Sequence, residues 1–220
     1  MQVNDPFQEE VSCIQLCISL LELEEVELFK YLGVLVTNNL SWSDHISEFC
    51  SKARKILGLL YRQFYNNANP ATLKQLYISL VRPHLEYAAQ VWDPYLQGDI
   101  DKLEAVQRFA LKLISRRWDL GYEEMLSIAN VPRLDDRRLH LKLAQVFKII
   151  HGLCYFPENI FMVQPPHLSR LSRSDTLLCP FAKTNHYFHS FVPSAIRAWN
   201  SLDEGQVAAD SLQSFKKSIV

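Results

Sequence analysis

The sequence predicts a mostly α-helical chain that begins with a β-hairpin, continues into a three-helix bundle and ends in a smaller helical segment. Apolar residues recur every three or four positions through most of the chain, which is the pattern of helices with one buried face. Only six glycines occur among 220 residues, which favours helices over a β-sandwich. The β-forming runs concentrate before residue 41, as in the stretch FKYLGVLV.

Two β-rich runs, at 11–21 and 26–36, predict the hairpin, with the acidic tetrapeptide ELEE between them. Their apolar residues alternate in part, as expected of strands with one buried face. Asn38 and Asn39 follow the second run and predict a turn, because asparagine side chains bond readily to the nearby backbone.

Three amphipathic helices are predicted next, at 43–65, 70–92 and 99–117. Ser43 is a candidate N-cap for the first helix. Asn69 is a candidate N-cap for the second, with Pro70 at the first helical position, where the missing N–H costs nothing. Pro83 lies inside the second helix and predicts a kink between residues 79 and 83. Short loops join the three helices, as in an antiparallel bundle.

The C-terminal segment is predicted to be helical at 122–128, 134–152, 193–201 and 211–219, with a short strand at HYFHSF. A proline-rich linker lies near 156–176. The Asp135–Asp136 pair lies at the start of the second of these helices. Acids there favour the helix dipole and cap free N–H groups, so we assign the pair this structural role.

Charge is distributed unevenly although the formal net charge is only −1. Residues 1–29 contain seven acids and no Lys or Arg, whereas 30–118 contain twelve basic and seven acidic residues. The basic middle is compatible with nucleic acid as a partner. The candidate phosphate contacts share helix faces at spacings of three, four or seven residues: Lys52, Lys55 and Arg62 in the first helix, and Arg108, Lys112 and Arg116 in the third. A solvated helix face is the alternative interpretation of both rows.

Other residues give weaker signals for function. Trp42, Tyr87, Trp92 and Trp118 could stack on bases, but each lies at a helix end or beside a core stripe, which favours packing. The five cysteines are odd in number and scattered, which predicts a reducing, intracellular setting and no zinc site. The sequence has no phosphate-binding glycine motif and no apolar run of the roughly 20 residues that span a bilayer. We therefore expect no membrane partner.

Several stretches occur in an order that resembles the C-terminal part of LINE-type (non-LTR) retrotransposon reverse transcriptases. They are FKYLGVLV, LSWSDHI, LYISLVRPHLEYAAQVWDPY, LEAVQRFALKLI, LDDRRLHLKLAQVFKIIHG and VPSAIRAWNSL with SFKKSIV. The resemblance covers residues 26 to 220. It implies four parts: a poorly matching acidic segment at 1–25, a primer-grip-like hairpin strand and turn at 26–41, a thumb-like helical bundle at 42–118 and a helical C-terminal segment at 119–220.

The resemblance also implies where nucleic acid would bind. In that family the Phe-Lys-Tyr-Leu-Gly segment holds the primer end, so Lys30, Tyr31 and Gly33 become candidate contacts in this chain. The carboxylates that hold two Mg²⁺ ions in the family precede the grip, in the palm. We therefore expect this chain to have no cofactor and no polymerase activity of its own.

The expected function is contact with RNA or an RNA–DNA primer–template, in the nucleus or the cytoplasm. A captured helical module that binds protein or self-associates is a second interpretation, favoured by the acidic head and by apolar surface that a palm would cover. A transposon relic without selected function is the third. Sequence reasoning leaves all three open.

Overall fold

The computed structural model describes residues 25–157, 160–162 and 176–219. The chain divides into two compact units, a hairpin unit that ends at Ser41 and a helical unit that begins at Trp42. The predicted fold class is confirmed, because a two-stranded antiparallel hairpin precedes a helical bundle and further helices.

The hairpin consists of β1 (Leu28–Tyr31) and β2 (Val34–Thr37), which pair in antiparallel register. Leu32 and Gly33 join them with φ angles of 45° and 85°, both in the left-handed region. A two-residue loop with two positive φ angles has the geometry of a type I′ turn, whose twist matches that of the strands. Glycine adopts this conformation without steric cost, which explains Gly33.

The predicted strand at 26–36 is wrong in its extent, because it contains both strands and the turn between them. The apolar Leu32 hid the turn, since the run of β-forming residues continues through it. The other predicted strand, 11–21, lies outside the described residues. The turn predicted at Asn38 and Asn39 is confirmed.

Two long helices, α1 (Ser43–Phe64) and α5 (Gln97–Ser115), form one side of the bundle. The two helices run parallel. Their starts lie side by side, where the hydroxyl of Ser43 in α1 donates to Asp99 Oδ2 in α5 at 2.6 Å. The chain returns between them through α2 (Pro70–Leu76), a π-helical turn (Tyr77–Val81), α3 (Arg82–Glu86) and α4 (Ala89–Trp92). The bundle core includes Ile46, Ala53, Leu57, Val81, Leu85, Trp92, Leu103, Val106 and Leu111.

The helix ends of the bundle correct one prediction and confirm two. Ser43 is not the N-cap of α1 but its first residue, and the N-cap position is Trp42, whose side chain makes no cap hydrogen bond. The Asn69 cap is confirmed, and its side chain accepts from the Thr72 amide at 2.8 Å. Pro70 occupies the first position of α2 as predicted.

The predicted helix at 70–92 is not continuous. The irregularity expected near Pro83 takes the form of the π-helical turn that ends at Val81, where the helical hydrogen-bond register widens before the residue that lacks an N–H. Ala88 then adopts φ 51°, in the left-handed region, and ends the helical path after Glu86. The end of the predicted helix is present only as the one-turn helix α4.

The C-terminal segment contains α6 (Tyr122–Ala129), α7 (Leu134–Ile150), α8 (Asn185–His189), α9 (Phe191–Asn200), α10 (Glu204–Val207) and α11 (Leu212–Ser218). These bounds confirm the four predicted helices to within a few residues. The predicted strand HYFHSF is wrong, because it folds as α8 and the start of α9. The Thr184 side chain caps α8 by accepting from the Tyr187 amide at 3.2 Å.

A second core lies among these C-terminal helices. The rings of Phe147 and Phe215 stack with centroids 4.7 Å apart, and Trp199 packs against Phe215 at 5.6 Å. All three side chains are buried. Because α7, α9 and α11 each contribute one ring, this cluster joins three helices into one body.

Candidate nucleic-acid interface

The outer face of the α1–α5 layer carries most of the predicted phosphate contacts. The buried stripes of α1 and α5 pack against each other, against the middle segments and, for α5, against α6, and the exposed stripe of each helix faces solvent. Lys55 and Arg62 are exposed on α1, seven residues apart and therefore on one face. Arg108 is exposed and Lys112 half-buried on α5, one helical turn apart. We call these four cations the outer face, together with the rings of Tyr122 and Trp118 that lie beside Arg108 and Lys112.

None of these four cations has a carboxylate partner in the described part of the chain. Among the described residues, no ion pair cancels their charge. A phosphate that approached this face would meet cations that no described carboxylate already occupies.

Each predicted cation on α5 lies over an aromatic ring. The guanidinium of Arg108 is 4.9 Å from the ring centroid of Tyr122, and Lys112 Nζ is 5.6 Å from the ring of Trp118. The indole of Trp118 is half-exposed and meets the ring of Phe109 edge-on at 6.1 Å. Such cation–π contacts orient the charged groups at the surface without neutralising them.

Arg116 does not extend the row of Arg108 and Lys112, which corrects the prediction. Helix α5 ends at Ser115, and Arg116 has φ 55°, which turns its side chain out of the helical path. Its Nη2 donates to the carbonyls of Tyr65 and Ala68 at 2.7 and 2.6 Å. Arg116 therefore satisfies carbonyl groups just beyond the C-terminus of α1 and ties the ends of the two helices together.

Lys52 is also engaged within the fold. Its Nζ forms an ion pair with Glu48 one turn earlier, at 2.5 Å, and lies 5.1 Å from the ring centroid of Phe49. Of the predicted row, Lys55 and Arg62 therefore remain as cations without a carboxylate partner among the described residues.

Lys30, Tyr31 and Gly33 belong to the hairpin unit. The side chains of Lys30 and Tyr31 are exposed, and as neighbours on a strand they point to opposite faces of the hairpin. Gly33 lies in the turn itself. Strand β1 is exposed at all four residues, whereas β2 is mostly buried, so β1 presents its side chains to solvent.

Sequence reasoning missed a line of residues on α1 that faces the α5 side. Arg54, Tyr61 and Tyr65 are spaced by seven and four residues and so lie on one face. The rings of Tyr61 and Tyr65 are 4.8 Å apart, and the guanidinium of Arg116 lies 5.6 Å from the ring of Tyr65. The heptad-like spacing of this line was the available signal.

A buried hydrogen-bond network holds Tyr122 beneath Arg108. The Tyr122 hydroxyl donates to Glu104, and Gln107 Nε2 donates to the Tyr122 hydroxyl at 3.1 Å. Burial and the Glu104 carboxylate raise the pKa of Tyr122, so its hydroxyl stays protonated and remains a donor. The ring that supports Arg108 is therefore fixed in place.

Glu104 also caps the start of α7, together with the predicted Asp135. Its Oε1 accepts from the amide of Asp135 at 3.0 Å, at the N-terminus of α7. The N-cap residue of α7 is Arg133, whose side chain makes no cap hydrogen bond. Asp135 and Asp136 lie in the first turn, so the predicted dipole contribution is confirmed. Asp135 Oδ1 also accepts from the Asp136 amide at 2.9 Å, so the predicted capping of a free N–H group is confirmed for Asp135.

In the described ranges, no three His, Cys, Asp or Glu side chains are grouped so that they could hold a metal ion. Within those ranges, no helix has both the length and the apolar character needed to cross a bilayer.

Comparison with known proteins gave no relatives. No family model matches the chain, and neither a curated protein nor a solved structure matches it. The function of the chain is therefore inferred from the geometry of the outer face and from the resemblance noted in the sequence.

Proposed function

We propose that this chain is a nucleic-acid-binding module that holds RNA or an RNA–DNA primer–template on the outer face. The observation that carries the proposal is that Lys55, Arg62, Arg108 and Lys112 share one side of the bundle without carboxylate partners in the described residues. The motif order that resembles the C-terminal part of non-LTR reverse transcriptases supports the same proposal. In this proposal the chain contacts nucleic acid but does not polymerise by itself.

The structure sets the expected strength of the electrostatic contribution. Each neutralised phosphate releases condensed counterions, so the logarithm of affinity falls with the logarithm of salt concentration. Four contacts predict a slope of about −3 to −4, from roughly −0.7 per contact on single strands and −0.9 on duplex. The slope thus counts contacts and is a sharper readout than affinity alone.

The test is a salt series with the full chain and a labelled RNA–DNA primer–template. Replacing Arg108 and Lys112 with alanine should reduce the slope by about 2, one unit for each lost contact. The matched control replaces Lys216 and Lys217, two exposed lysines on α11, with alanine. An equal loss in both variants, or no binding at about 50 mM salt, would reject the outer face as the binding surface.

A second candidate function is binding of protein through the hairpin. Leu28, Phe29, Tyr31 and Leu32 are all exposed, and together they form a run of apolar side chains on and beside β1. Exposed strands with apolar side chains commonly pair with another chain or self-associate. Sedimentation analysis of the wild type and a Phe29→Lys variant tests this, because concentration-dependent dimerisation should disappear in the variant.

A further inference from the structure

Trp118 differs from the two tryptophans in the cores. Trp92 and Trp199 are essentially buried, whereas the side chain of Trp118 is 50% exposed. A large aromatic ring left in water at a helix end stabilises the fold less than a buried one. The exposed part of the indole is therefore accessible to a ligand.

The surroundings of Trp118 combine the two features that recognise an unpaired nucleotide. Phe109 supports one edge of the indole, and the Lys112 ammonium lies 5.6 Å from the ring centroid. An aromatic face binds a base by stacking, and a neighbouring cation binds the phosphate of the same strand. One helical turn earlier on α5, Arg108 lies 4.9 Å from the ring centroid of the half-buried Tyr122 and adds a second cation beside this site.

Base pairing decides whether such a ring can be used. In a duplex the bases are stacked on one another, so a surface indole meets only sugar and phosphate. In a single strand the bases are free to turn toward an aromatic side chain. An exposed ring beside cations is therefore useful chiefly to single-stranded nucleic acid.

We infer that the outer face takes a single strand, with one unpaired base stacked on Trp118 and its phosphate held by Lys112. This inference depends on the proposed function, since it names the form of nucleic acid that the same face binds. The stacking chemistry is shared by RNA and DNA, so matched RNA and DNA oligomers of one sequence are both needed to separate these sources.

The experiment measures binding and tryptophan fluorescence with the full chain and four ligands. These are a single-stranded RNA, the matched DNA, an abasic oligomer of equal length and charge, and an RNA duplex. Base-bearing single strands should quench fluorescence and bind more tightly than the abasic oligomer. Trp118→Ala should weaken their binding roughly 5- to 150-fold, as expected for one stacked base, and should abolish the quenching.

Two features of the variant separate stacking from a structural effect. The salt slope should not change in Trp118→Ala, because no phosphate contact is removed. Trp118→Phe retains an aromatic face and should restore most of the affinity, and an unchanged urea midpoint shows that the fold is intact.

The outcomes distinguish this inference from the proposed function. If the abasic oligomer or the duplex binds as tightly as the single strands, the stacking inference is overturned while the proposed function stands. If none of the four ligands binds, both are overturned. If only the base-bearing single strands bind tightly and quench, both are supported, and the ratio of RNA to DNA affinity identifies the preferred sugar.

Discussion

Replacing Asp93 with asparagine tests whether one carboxylate holds the C-terminal segment to the bundle. Asp93 follows α4 and accepts from Arg138 Nε at 2.9 Å, and its other oxygen lies 2.6 Å from Lys142 Nζ. Both cations lie on α7, and the Arg138 side chain is only 1% exposed. Asparagine keeps the shape but removes the charge, so two largely buried cations lose their shared partner.

The structure sets the magnitude of this effect. Removing one partner of a buried ion pair costs about 3–5 kcal/mol. The Asp93 side chain is 22% exposed, so water compensates part of the loss and we expect the lower end, about 3 kcal/mol. For a chain of this size, that loss corresponds to a fall in melting temperature of roughly 6–12 °C.

Urea unfolding followed by far-ultraviolet circular dichroism measures the change. The midpoint should fall while the slope m stays constant, because the surface exposed on unfolding does not change. Asp119→Asn is the matched control, since Asp119 pairs with Arg117 at 2.8 Å but both side chains are more than half exposed. Surface pairs contribute little, so this variant should unfold like the wild type. Equal midpoints for the two variants would refute the argument that Asp93 compensates buried charge.

Three further outcomes are expected. Arg116→Ala should lower the free energy of unfolding in urea by about 1–2 kcal/mol, because two charge-assisted hydrogen bonds are lost, while the salt slope of RNA binding stays unchanged. Glu104→Ala should lower the free energy of unfolding by about 2–3 kcal/mol in the same assay, because the Tyr122 hydroxyl loses its acceptor in a part-buried site. Glu104→Gln should recover part of that free energy. Burial lowers the pKa of His140 and of His189 in the folded chain. Below about pH 6.5 the unfolded chain therefore binds protons that the folded chain does not. The free energy of unfolding should fall from pH 7 to pH 5. Replacing both histidines with glutamine should flatten that fall, measured by thermal unfolding across pH, and an unchanged pH profile would contradict the assignment.

The helices were predictable where one apolar stripe extends over several turns, as in α1, α5 and α7. Their period reflects burial of one face of the helix, which sequence spacing records directly. The breaks were harder to predict. Ala88 leaves the helical region although alanine is the best helix former, so tertiary packing overrides local preference there. Gly33 marked the hairpin turn, but the apolar Leu32 beside it concealed where one strand ended.

The candidate site was predictable in composition but not in pairing. Spacing placed Arg108 and Lys112 on one face, and the structure keeps them there. Sequence spacing could not show that Arg116 turns toward the end of α1. That turn depends on where α5 stops and on which carbonyls lie nearby. The pairing of Lys52, in contrast, was predictable from the sequence, because Glu48 lies one helical turn earlier.

The ties at the two ends of the α1–α5 pair determine how the outer face meets a ligand. The Ser43–Asp99 hydrogen bond fixes the helix starts, and the Arg116 bonds fix their ends, so neither helix can slide along the other. The two sets of cations keep a constant separation before any strand arrives. Little conformational entropy remains to be lost in the backbone on binding, so the face is preorganised. Substitutions that loosen either tie should therefore weaken binding through entropy, without removing a single contact to the ligand.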